Sequence, residues 1–286
     1  MKLYVSMLLF GAAAIMTSCS NECDIKDVQP NKEISFLCQY ENATRVTDTK
    51  FEASDEVGIY MTSKDVALQL GGNELNNEKF SYNGSVWTAS RKVYWDEGEH
   101  DIYAYYPFEA TVNDTEDYTF ELPADQSSAT GYSSADFLWA SANGVKATAS
   151  PVALKFSHRM SKAVIKLEKS EDYEGDIPED CKVSVLSTAG TASIDLTTGG
   201  VSKAQDSSTI TIEAKRISST EYHAIVIPQN IESRRPLIEV ETQGVSYIME
   251  GKLSFKQGYS HTIIVTLSKN PSQTKIEIGG SIGGWE

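Results

Sequence analysis

The segment FSHRMSK places Ser157, His158 and Ser161 close together, and these are the residue types of a nucleophile and its base. Neighbours on a strand point to opposite faces, so Ser157 and His158 do not meet there, and the chain has no GxSxG elbow. The other histidines, His100, His223 and His261, stand apart without HExxH or comparable ligand spacing. The acidic fragments TDTKFEASDE and NDTED lack the order of a calcium loop and read as solvated loops. No catalytic residue, metal ligand set or cofactor is expected, and the chain does not read as an enzyme.

Covalent chemistry is expected instead at Cys19. Lys2 gives a basic start, residues 3–16 are apolar or small, and Thr17 and Ser18 end the run, which is the shape of a secretory signal. A membrane-spanning helix needs about 20 apolar residues, more than this run supplies. Met16-Thr17-Ser18-Cys19 resembles a bacterial lipobox, in which the cysteine becomes the new N-terminus and carries the lipid. The alternative is an ordinary signal peptide that ends near a cysteine. Acyl chains on Cys19 would hold the protein on a membrane, since each buried methylene contributes about 0.8 kcal/mol and more than one chain gives stable anchoring.

The elements that must present these residues read as strands. KVYWDE, HDIYAYYPF, DYTFELP, KAVIKLE, CKVSVLST, STITIEA, YHAIVIPQ, PLIEVET, VSYIMEG and SHTIIVTLS are short, rich in β-branched and aromatic residues, and separated by turn clusters. No long amphipathic helix competes, so the expected class is all-β, built of antiparallel sandwiches. The small-residue stretch ASANGVKATASP, residues 140–151, suggests a boundary between domains 46–149 and 150–286. Forty acidic against 25 basic residues give a formal charge of -15, which opposes binding to nucleic acid. Beyond Cys19 the cysteines are Cys23, Cys38 and Cys181, too few for a disulfide framework, although one bridge, such as Cys38 to Cys181, stays open.

Ahead of the first domain, EISFLCQY puts Ile34, Phe36, Cys38 and Tyr40 on one face of a strand by strict alternation. A polar link, ENATRVTDTK, follows and holds Arg45 in a region of the kind where proteolytic sites concentrate. At the other end, TKIEIGGSIGGWE carries Ile276, Ile278 and Ile282 at even spacing, as a final strand of its own domain or as one added to a neighbour, residues 274–286. The aromatics Tyr94, Trp95, Tyr103, Tyr105, Tyr106 and Phe108 read mainly as core, because alternation sends Tyr105 and Tyr106 to opposite faces; the competing reading is a sugar platform.

Taken in order, ATRVTDTKFEASDEVGIYM, YNGSVWTASRKVYWDEGEHDIYAYYPF, ADFLWA and VALKFSHRMSKAVIKLE resemble the fimbrillin family, the Mfa-like and FimA-like lipoprotein pilins of Bacteroidales. The resemblance implies two transthyretin-like β-sandwich domains in tandem and export as a lipoprotein precursor to the outer membrane. It also implies maturation by an arginine-specific protease, here matching a cut between Arg45 and Val46. Residues 1–18 would then be the signal peptide and 19–45 a lipidated propeptide whose strand is removable. The partners implied are other pilin subunits, joined by strand addition in a surface fimbrium, and host or bacterial surface ligands in adhesion. The alternative function is a permanently lipidated outer-membrane protein that binds glycans.

Overall fold

A computed structural model describes residues 32–41, 50–270 and 274–285, with the backbone alone for 276–282. The signal segment, Cys19, Cys23, Arg45 and Val46 lie outside the described residues. The first half of the chain runs through β1 (Phe36–Tyr40), β2 (Glu56–Ser63), β3 (Leu75–Tyr82), β4 (Trp87–Ala89), β5 (Glu99–Tyr106) and β6 (Tyr118–Glu121). A short helix, α1 (Ala129–Ala135), follows, capped by the Ser128 hydroxyl, which accepts from the Gly131 amide. Next come β7 (Leu138–Lys146), β8 (Val152–His158), β9 (Ser161–Lys169), β10 (Lys182–Ala189), β11 (Thr191–Asp195) and β12 (Gly200–Lys203). The remaining strands are β13 (Thr209–Glu213), β14 (Lys215–Arg216), β15 (Glu221–Val226), β16 (Gln229–Thr242), β17 (Val245–Phe255), β18 (Tyr259–Leu267) and β19 (Lys275–Gly284).

Four sheets result, with orders β1-β8-β7-β5-β2-β3-β4, β13-β10-β16-β17, β12-β11-β6 and β14-β15-β9-β18-β19. The fold is mostly β, as expected from the alternating runs, but not wholly antiparallel. Both β1 with β8 and β9 with β18 pair in parallel. Antiparallel neighbours can be joined by a short hairpin, whereas each parallel pair needs a long crossover, and the chain supplies one by routing many strands between the partners. KVYWDE is also not a strand: it is irregular, with a single bridge from Tyr94 to Glu33. Residues 140–151 form the second part of β7 and the turn into β8, and the seven-stranded sheet runs on to His158.

Two cores follow from the alternation along the central strands. Val57, Ile59 and Met61 of β2 and Ile102, Ala104 and Tyr106 of β5 enter a core shared with Ile34, Phe36 and Cys38. Tyr60 and Tyr105, one residue away on those same strands, enter the other core, with Tyr118, Phe137, Ile165 and Val265. The seven-stranded sheet is thus covered on both faces.

Candidate functional site

The leading strand is held by its alternation. Ile34, Phe36 and Cys38 are buried, Tyr40 is half-buried, and Leu37 between them is 50% exposed. Its parallel register sets Phe36 beside Val152 and Tyr40 beside Phe156. On its other side, the Ile34 amide donates to Val93 O at 2.9 Å and the Trp95 amide donates to Lys32 O at 3.0 Å. The leading segment therefore closes a gap between β8 and the 93–95 segment, which is why KVYWDE is spent as a rim and forms no strand of its own. Phe36 meets Phe80 edge to face at 5.0 Å, and Tyr40 meets Phe51 at 4.9 Å. Fully burying one such apolar side chain contributes about 1.5–3 kcal/mol. Burial also pushes the Cys38 thiol well above its ordinary pKa, so it stays protonated and inert.

The terminal strand is built differently. β19 is the outermost strand of its sheet and pairs antiparallel with β18 alone, Ile276 opposite Val265, Ile278 opposite Ile263 and Ile282 opposite His261, with a bulge between the last two. In this chain it completes its own sheet. The end is fixed by Trp285, whose amide donates to Gly258 O at 2.9 Å and whose indole stacks on the His158 ring at 4.0 Å.

The residues with catalytic chemistry do not converge. His158 Nδ1 donates to the Asp136 carboxylate at 2.9–3.0 Å, while the Ser157 hydroxyl donates to Trp139 O at 3.5 Å and that of Ser161 to Tyr259 O at 3.3 Å. Ser157 and His158 lie on opposite faces of β8, as alternation requires. His100 is paired with Glu74 at 2.6 Å and His223 with Glu221 at 2.7 Å, and His261 Nε2 accepts from the Lys256 amide at 3.1 Å. Among the described residues no three metal-ligating side chains are grouped. Of the aromatic set, Trp95, Tyr105 and Tyr106 are buried, Tyr103 and Phe108 are half-buried, and Tyr94 is 44% exposed. Cys38 and Cys181 are both free and lie in different cores, which corrects the open bridge between them. Sequence reading missed Asp136 and Trp285 as partners of His158, because nothing local links positions that the topology brings together.

The site is thus a pair of outer strands, one from each end of the chain, meeting at His158. A cavity of about 380 Å³ lies at that meeting point and is bordered by Tyr40, Glu41, Arg159, Gln257 and Gly284. This is a mainly β protein in which the end of β1 and the residue after β19 meet at one histidine. The chain belongs to the Fimbrillin-like family, whose model matches residues 44–285. It is 29% identical over 213 residues to a Bacteroides ovatus protein named as a fimbrium tip subunit, Fim1C, covering 64% of this chain and 38% of that protein. A Bacteroides uniformis protein named as a fimbrium subunit, also Fim1C, is 28% identical over 163 residues, covering 55% of this chain and 52% of that one. The matches therefore span about half or less of those relatives' own length. Among solved structures, one named as a cell adhesion protein from Bacteroides ovatus superposes with a TM-score of 0.71 at 20% identity, covering 90% of this chain and 98% of the other. Another so named, from Bacteroides uniformis, gives 0.68 at 20% identity, with 89% and 98% covered.

Proposed function

We propose that the protein is a structural or accessory subunit of a surface fimbrium with a role in adhesion. It is exported as a lipoprotein precursor, held on the outer membrane through Cys19, and cut after Arg45 by an arginine-specific protease. It then joins other subunits by strand addition. The observation that carries this reading is the place of the leading segment: residues 32–34 bond to the 93–95 rim, β1 bonds to β8, and the segment that holds Arg45 follows directly. A cut there leaves unpaired backbone groups on β8 and the 93–95 rim, above pockets vacated by Ile34, Phe36, Cys38 and Tyr40. Such an open edge is a template for a strand from another chain. The terminal strand 274–286, with Ile276, Ile278 and Ile282, is the donor in this reading, and the head-to-tail contact does not close, so it builds a filament.

The reading keeps tandem transthyretin-like sandwich domains over residues 46–149 and 150–286, although each of the two cores draws on residues from both spans. The names of the Fim1C relatives support the fimbrial reading and keep a tip or accessory position within it. The test is N-terminal sequencing of surface material from a bacterium expressing the full precursor. High-mass polymer starting at Val46 is expected, with Arg45→Ala blocking maturation. Intact lipidated Cys19 on a monomer would overturn this reading in favour of the lipidated glycan binder.

A further inference from the structure

At His158 the end of the leading strand and the residue that follows the terminal strand touch the same side chain. Its ring is nearly fully buried and its direction is fixed, because a carboxylate only accepts hydrogen bonds and Asp136 therefore holds the proton on Nδ1. Trp285 lies almost parallel on this ring, with an interplanar angle of 5°, and the Lys162 ammonium sits 5.6 Å from the indole centroid. Tyr40, the last residue of β1, approaches the same imidazole at 5.5 Å, tilted by 50°. Beside it, the Glu41 amide donates to Phe156 O at 2.8 Å.

The terminal strand depends on this contact more than its length suggests. Beyond the bulge only three pairs join β19 to β18, Ile282 to His261, Gly283 to Ser260 and Gly284 to Tyr259. Two of those three residues are glycines, which have no side chain to pack. Trp285 and the backbone bonds of Gly283 and Gly284 anchor the last residues. Gly258, which receives the Trp285 amide, has φ +71°, and a Cβ there would come 3.2 Å from His158 O, so the 258 turn, His158 and Trp285 are fitted as one unit.

We propose that the Tyr40–His158–Trp285 contact couples the two strands, so that each holds the other's end in place and loss of the leading strand loosens the terminal one. The biological use of this coupling rests on the reading of β1 as removable: in the uncut chain the donor end stays parked on its own sheet, and the cut that opens the groove also frees the strand that fills a neighbour's. The cavity at the contact supplies the physical route. Removing Tyr40 and Glu41 takes away part of its wall and opens the imidazole–indole stack to water. Because the coupling is an equilibrium property, it acts equally in both directions.

Hydrogen exchange on the uncut full-length chain tests it. Tyr40→Ala should speed exchange of the amides at 283–285 by roughly three- to tenfold, the range expected for loss of support to one aromatic contact. Trp285→Ala should do the same at residues 38–41. In a His158→Ala background neither substitution should affect the distant strand further. His158→Leu, which fills the space but offers no ring to stack on, serves where His158→Ala does not fold. Substitutions that change exchange only in their own strand, or nowhere, would overturn the proposal. Cleavage and polymerisation play no part in this measurement, so the failure of the coupling and the failure of the fimbrial reading are separate results.

Discussion

The leading strand and the terminal strand are both outermost in their sheets, yet they are held by different means. The leading segment is bonded to the 93–95 rim through residues 32–34 and to β8 through β1, and it sends Ile34, Phe36 and Cys38 into a core shared with β2, β3 and β5. β19 lies along one neighbour, with a bulge and a glycine-rich end, and is clasped by a single indole. The comparison teaches that an edge can be completed by a segment bonded to two different parts of the chain or by a strand paired with one neighbour and pinned at its end. The first kind leaves a vacancy lined by the partners of Phe36 and Cys38 when it goes, and the second uncovers β18 and the seat of Trp285. In the assembly proposed above, the first would be the strand whose removal opens a receptor and the second the strand that is lent.

The contrast is broken most directly at Phe36. Phe36→Ala should cost about 3–5 kcal/mol, as for other large core truncations, and lower the thermal midpoint clearly, whereas Leu37→Ala on the outward face should stay within about 0.5 kcal/mol. Equal effects would mean that β1 is not packed as described. Reactivity sharpens the comparison next. With its thiol protonated by burial, Cys38 should be alkylated at least about tenfold more slowly than a free cysteine at pH 8, and should become reactive once the leading strand is released; labelling followed by mass spectrometry checks this.

A smaller effect is expected from pH near the terminal strand. The His261 imidazole is held below its ordinary pKa, first by burial and then by the Lys256 charge, and its Nε2 accepts the Lys256 amide. The unfolded chain takes up a proton on this histidine near pH 6.5, and the folded chain only at lower pH. The stability it contributes is therefore intact above about pH 6.5 and is lost as pH falls from there towards the folded value. Urea midpoints at pH 7.5 and 5.5 should differ less in His261→Gln than in the parent chain. The smallest effect belongs to Glu33, paired with Lys92 at 3.2 Å across the 93–95 rim but largely exposed on both sides. Glu33→Gln should change stability by less than about 0.5 kcal/mol in the same melts, because exposed pairs contribute little.

What was legible in the sequence was whatever period-2 alternation encodes. The buried face of β1, the opposite faces of Tyr105 and Tyr106, and the separation of Ser157 from His158 all follow from residue order, since a strand's geometry fixes which side chains share a side. Alternation names a face but not a neighbour. The parallel partners of β1 and β9, the bond from His158 to Asp136 and the seat of Trp285 join positions distant in the chain, and no local signal records them. KVYWDE shows the same limit from the other side: its composition favours a strand, but its backbone is committed to residues 32–34. The turn-rich stretch near residue 150 is likewise a hairpin inside one sheet, because small and polar residues mark any reversal of the chain and do not tell a hairpin from a linker.

The central claim is that one copy's terminal strand replaces another copy's leading strand, and a truncation tests it most directly. Processed subunits lacking residues 272–286 keep the receptor groove but lose the donor, so mixed into intact processed subunits they should be incorporated at one end and stop extension, shortening the polymer in proportion to their fraction. Polymer of undiminished length, formed by the truncated subunits alone, would contradict the account.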